Sequence, residues 1–197
     1  MRWAFLFFLI GFTFHLNGQS NYDRQDSLRG SITPERAWWD VSYYHLAIEV
    51  IPDSREIIGS NRVYYKVLEP HDILQIDLQA PLKITKVLQD GAALDIRSEG
   101  NAHFITLTKP QRVGNMESVQ IFYAGKPQTA KRPPWDGGVT WQQDAKGMDF
   151  VATSCQGLGA SVWWPNKDHM YDEVDSMLMS IEVPKALVDV SNGRLRS

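Results

Sequence analysis

Residues 38–68, WWDVSYYHLAIEVIPDSREIIGSNRVYYKVL, carry the pattern that decides the fold. Tyr44, Leu46, Ile48 and Val50 alternate with Tyr43, His45, Ala47 and Glu49. That is period two, which places one set of side chains inward and the other outward on a strand. Pro52-Asp53-Ser54 interrupts the run with turn-forming residues. A second strand is predicted over 56–68, with Gly59 as a bulge or a close approach of backbones. Together they make a long hairpin. The rhythm then continues. Residues 73–78 alternate after the Glu69-Pro70-His71-Asp72 turn, and Pro81 separates them from a strand over 82–88. Asp90-Gly91 is a hairpin turn of the kind that supplies positive φ. Residues 94–96, 104–107 and 119–123 extend the series. The stretch 126–138, KPQTAKRPPWDGG, is too rich in proline and glycine for a regular strand. Beyond it, 139–141 and 149–154 form a hairpin across Lys146-Gly147, and the strand 177–183 is closed by Pro184. No stretch keeps a period of 3.6 over three turns. The sequence therefore predicts an all-β, antiparallel, sandwich-like domain.

The flanks read differently. Arg2 followed by the apolar run from Trp3 to Phe14 resembles an export signal too short to span a bilayer comfortably. Residues 1–18 are read as that signal, with cleavage ahead of Gln19; the alternative is an uncleaved N-terminal anchor. Residues 19–36 hold Asn21, Asp23, Asp26 and Ser27 with no periodic apolar face, and read as a polar leader arm. The β domain is expected over 37–197. The single cysteine, Cys155, leaves an exported chain no internal disulfide, so the core must come from burial alone. The formal net charge of −3 becomes one unit more negative without Arg2. Such a balance argues against nucleic-acid partners and against a polybasic membrane surface.

A more specific signal lies in residues 150–195, FVATSCQGLGASVWWPNKDHMYDEVDSMLMSIEVPKALVDVSNGRL, together with PPWDGGVTW ahead of them. The order is T-x-x-Q, a glycine loop, W-W-P-x-x-D, an acidic turn, a strand ending in V-P, then S-N-G. This is similar to the end of the N-terminal domain of the M1 zinc aminopeptidases, the aminopeptidase N and leukotriene hydrolase group, in a bacterial branch. WDVSYYHLAIEV with IIGS, and LQIDLQAPLKITKV, resemble that family's opening hairpin and its following strands. Two departures stand out: Ser154 where glutamine is commoner, and Asn166-Lys167 where a cysteine-containing pair is usual. The resemblance implies a saddle-shaped antiparallel β domain that caps a zinc-bearing catalytic domain expected downstream of this chain. It implies export to the periplasm or the medium without a stable membrane anchor, and a peptide substrate held by its free N-terminus. Gln156 falls on the family's residue that helps hold the substrate amino group, so it is the candidate substrate-binding residue.

The chemistry of the family needs H-E-x-x-H, two imidazoles one helical turn apart with a glutamate as base. His15, His45, His71, His103 and His169 are none of them followed by glutamate, and no two lie four apart. No catalytic residue or metal ligand is therefore assigned in this chain, which is expected to be inactive alone; zinc is implied only for the complete enzyme. Asp168, Asp172, Glu173 and Asp175 lack a calcium-loop framework and read as a solvated acidic turn, with Asp168 fixing the loop. Cys155 reads as a small buried strand residue rather than a nucleophile. Trp135, Trp141, Trp163 and Trp164 suit a core or a domain interface. They also support the alternative function, a non-catalytic carbohydrate- or protein-binding module.

Overall fold

The computed structural model describes residues 22–196. The segment read as an export signal, 1–18, lies outside the described residues. Among them are eleven strands, two short helices and one 3-10 turn. A six-stranded sheet runs in the order β11-β1-β2-β8-β4-β5, from Ser176–Glu182, Trp39–Ile51, Glu56–Val67, Met116–Gly125, Lys83–Gln89 and Ala92–Ala93. A three-stranded sheet, β3-β7-β6, is built from Ile73–Asp77, Ala102–Thr106 and Asp95–Glu99. β9 (Gly138–Gln143) and β10 (Asp149–Ser154) make a two-stranded ribbon. The all-β expectation holds. One pairing is not antiparallel: β11 runs parallel to β1, from Tyr43 opposite Ser176 to Glu49 opposite Glu182.

The predicted hairpin is β1–β2, and its irregularities have local causes. A bulge between Val41 and Tyr43 shifts the inward phase of β1 from Trp39 and Val41 to Tyr44, Leu46 and Ile48. An extra residue in one strand must do this, because the side-chain period is two. Gly59 is a close approach: a Cβ there would lie 2.5 Å from the Ala47 carbonyl oxygen and 2.7 Å from the Ile48 side chain. Asp90 and Gly91 both take positive φ, 50° and 84°, as the β4–β5 turn requires. The core between the sheets gathers Leu46, Val63, Tyr65, Ile76, Ile105 and Ile121, each less than 1 % exposed. Trp38 and Trp39 anchor the start of β1, their indole N–H groups donating to the carbonyls of Ile73 at 2.7 Å and Glu35 at 2.9 Å.

The segment read as a polar leader packs against the domain. α1 (Arg24–Gly30) starts from a capping box between Asp23 and Asp26 and buries Leu28 against Ala102 and Phe104. α2 (Pro34–Ala37) begins with proline at its first turn and buries Arg36 completely. These turns cover the second face of β3. Gln75 and Asp77, outward positions by alternation, are buried there beside the inward Leu74 and Ile76. A strand covered on both faces loses its polar face to solvent, so the buried amide and carboxylate must find partners within the protein.

Candidate functional site

β10 ends at Ser154, and the chain turns at once through Cys155, Gln156 and Gly157. The amides of Leu158 and Gly159 close the turn on the Cys155 carbonyl at 3.2 and 2.9 Å. Gly157 and Gly159 adopt φ of 70° and 78°, a region that costs a residue with a Cβ roughly 1–2 kcal/mol. Gly159 is further restricted, because a Cβ there would stand 2.2 Å from an Asp168 carboxylate oxygen. Gln156 sits at the apex, exposed. Its side chain takes no hydrogen bond from the described residues, so its amide is not consumed in closing the turn.

Three groups hold this turn. Arg29 of α1 donates from Nη2 to the Gly157 carbonyl at 2.6 Å. Gln79 donates to the Leu158 carbonyl and, at 2.8 Å, to Ser161 Oγ. Ser161 in turn donates to Asp168, through its hydroxyl at 2.6 Å and its backbone amide at 3.2 Å. Asp168 thus fixes the loop, as expected, by accepting from Ser161. A cavity of about 210 Å³ lies in the seam between α1 and this loop, with Arg29, Asp77, Gln79, Asn101, Ser161 and Asp168 on its walls. A larger cleft, about 490 Å³, opens at the other end of β10 between Asp53, Arg55, Trp141, Asp149 and Phe150. Gln156 does not line it.

Beneath the loop lie two buried ion pairs. Arg36 meets Asp77 at 2.6 Å, their side chains 0 % and 10 % exposed. Asp77 also accepts from Gln75 at 3.2 Å and from the Asp168 backbone amide at 3.1 Å. Burial pushes the Asp77 carboxyl up, opposed first by the Arg36 guanidinium and then by these donors. Lys167 meets Asp172, with Nζ 4.0 Å from the Trp39 ring centre and 4.8 Å from that of Tyr171. Burial pulls the Lys167 pKa down, and the pairing with Asp172 opposes it. Asp172 therefore departs from the solvated acidic turn expected at 168–175: its side chain is 4 % exposed, because Lys167 and the Val41 amide stand ready to receive it. Glu173 and Asp175 remain exposed.

Cys155 also departs from expectation, lying just past β10 as an exposed residue rather than in a buried strand position. Partial burial of its thiol pushes the pKa up, opposed by a hydrogen bond with Trp163, and the net direction is the opposite of an activated nucleophile. The four tryptophans do not share one face. Trp164 is buried edge-on against Tyr44 at 5.1 Å, Trp163 and Trp141 are half-buried against the core, and Trp135 is 79 % exposed.

The described histidines are each engaged by a separate partner. His45 bonds Ser180, His71 accepts from the Ile73 amide, His103 lies between Ser98 and the Leu78 carbonyl, and His169 reaches the Gly30 carbonyl. No group of three or more His, Cys, Asp or Glu side chains among the described residues is placed to hold a metal ion. The residues described here do not fit a zinc site. The sequence reading gave no role to Arg29, Arg36 or Asp77, and marked Lys167 only as part of a departure from the family pattern. A carboxylate inside an alternating apolar run, as in LQIDL, is the one local sign that a cation must lie nearby.

The architecture is the one found within M1 zinc metallopeptidases. The M1 zinc metallopeptidase of Deinococcus radiodurans superposes with a TM-score of 0.59 at 22% identity, covering 76% of this chain and 33% of that one. A two-domain M1 zinc metallopeptidase bound to L-arginine gives 0.60 at 23% identity, covering 77% and 34%. Leukotriene A4 hydrolase from Saccharomyces cerevisiae gives 0.58 at 20% identity, covering 74% and 23%. The chain thus spans about a quarter to a third of the length of these structures, and the likeness establishes the fold. Neither a protein-family profile nor a curated protein sequence matches the chain.

Proposed function

We propose that this chain is the N-terminal β domain of an exported zinc-dependent aminopeptidase, and that it completes the pocket for the substrate's free N-terminus. In this reading a catalytic domain supplies the zinc and the general base, and this chain supplies Gln156. The observation that carries the reading is the state of that side chain: exposed, without a hydrogen-bond partner among the described residues, at the tip of a turn whose backbone is held by Arg29, Gln79 and Asp168. Its Oε1 accepts a hydrogen bond from the substrate ammonium, while the fixed backbone spares the entropy of ordering a loop on binding. The fold likeness supports the class, since the Deinococcus enzyme has been crystallised with Tyr-Ser-Ala.

A hydrogen bond to a charged group contributes roughly 1.5–3 kcal/mol, so Gln156→Ala in the complete enzyme lowers kcat/KM for free-amino substrates about ten- to a hundredfold. Gln156→Glu retains activity, because a carboxylate accepts from the same ammonium. Full activity of the alanine variant, with unchanged KM for aminoacyl reporters, refutes the role of Gln156.

A further inference from the structure

We propose that Arg29 is a positioning residue, and that the N-terminal segment serves to hold the Gln156 turn in place. The proposal rests on the substrate-facing reading of Gln156, but its first test does not.

The turn has few holds of its own. Its two internal hydrogen bonds both end on the Cys155 carbonyl, and the two glycines beside Leu158 permit other backbone conformations. The Gly157 carbonyl, next to Gln156, accepts from Arg29, a residue 128 positions away in sequence. Arg29 is held in turn. The buried Arg36 guanidinium donates to the carbonyls of Arg29 and Ser31 at 3.0 and 2.9 Å, fixing the C-terminal end of α1. The same guanidinium is paired with Asp77, and Asp77 accepts from the Asp168 amide. His169 reaches the Gly30 carbonyl at 3.1 Å, and the Tyr171 hydroxyl donates to the Arg36 carbonyl at 2.6 Å. The helix end and the loop are therefore stitched together through both ends of the loop.

The seam contains the 210 Å³ cavity, with Leu28, Ala102 and Leu158 on its walls beside the polar groups, so apolar packing across it is incomplete. Of α1 only Leu28 is buried against the domain. Arg29 crosses the seam to the Gly157 carbonyl, just after Gln156, while the Cys155 carbonyl just before it is taken by the turn's own amides. A guanidinium suits that place because its charge stays on at any working pH and its planar fork loses little freedom per bond made.

The test is amide hydrogen exchange in the purified chain, comparing Arg29→Ala and Arg29→Lys with the parent. Arg29→Ala is expected to accelerate exchange of the Leu158 and Gly159 amides about tenfold or more, as loss of a charge-assisted bond implies. Arg29→Lys restores part of that protection, while the urea midpoint, the α1 amide of Ser27 and the C-cap amide of Ser31 stay near parent values. If Leu158 and Gly159 exchange at the parent rate in Arg29→Ala, the proposal is wrong. If Ser27 and Ser31 accelerate equally, the helix has simply detached, and that too overturns a specific role. In the complete enzyme, Arg29→Ala is expected to lower kcat/KM, and to add nothing once Gln156 is alanine. A turn that loosens while Gln156→Ala itself stays fully active leaves Arg29 as the holder of the turn and sinks only the substrate role.

Discussion

Replacing Lys167 with methionine tests whether the loop after the tryptophan pair is anchored by charge. The substitution keeps most of the side-chain volume and removes only the ammonium. In the structure that ammonium is the partner of Asp172, donates to the Trp39 carbonyl, and lies over the faces of Trp39 and Tyr171. Without it, Asp172 keeps only the Val41 amide, at 3.2 Å, and stays 4 % exposed. Removing one member of a buried pair costs about 3–5 kcal/mol, because the other charge is stranded. For a domain of this size that lowers Tm by roughly 6–20 °C. Adding Asp172→Leu to Lys167→Met removes the stranded charge and is expected to recover about half of the loss or more, since well-packed apolar pairs often match buried ion pairs. Thermal and urea unfolding of the parent, both single variants and the double variant give the coupling directly. If Lys167→Met unfolds within about 0.5 kcal/mol of the parent, the scale expected for an exposed site, the pair carries no structural weight and the reasoning fails.

Gly159→Ala is expected to destabilise by about 2–4 kcal/mol, from the left-handed backbone and from displacement of the Asp168 carboxylate that Ser161 needs; urea unfolding measures it, and a loss below about 1 kcal/mol counts against the described turn. His103 has a pKa held below its ordinary value by burial, against the opposing pull of the Leu78 carbonyl and Asp77. The unfolded chain then takes up a proton near pH 6.5 that the folded chain refuses, so this contribution to stability is complete above 6.5 and is lost as pH falls below it. His103→Gln keeps a donor toward Leu78 and should flatten that part of the stability profile; an unchanged slope between pH 6.5 and 5 rules out His103 as its source.

The hairpin, the ribbon and most strand positions were legible from alternation, because one face of each strand is apolar and the turns carry proline, glycine and aspartate. Gln156 was legible only by resemblance, and the structure places it at an exposed apex. The buried polar network was not legible, and the reason is covering. Alternation marks Gln75 and Asp77 as outward, which is correct for the strand. It cannot say that α1 and α2 lie on that side. Those helices are short, seven and four residues, and carry only one buried apolar residue, Leu28, so no 3.6 period announces them. Lys167 and Asp172 were obscured in the same way: an acidic turn looks solvated until its cation is located in space.

The parallel edge pairing has a kinetic consequence. β1 is the first strand of this domain to be synthesised, yet its outer edge is covered by β11, with Tyr43 opposite Ser176 and Glu49 opposite Glu182. Nearly the whole domain must be synthesised before that contact can form. Throughout that interval the β1–β2 hairpin presents an open row of backbone donors and acceptors, a template for pairing with another nascent chain. Contacts so distant in sequence also make closure of the sheet a late and slow event. Loss of β11 therefore endangers solubility during synthesis as well as the packing of the finished domain.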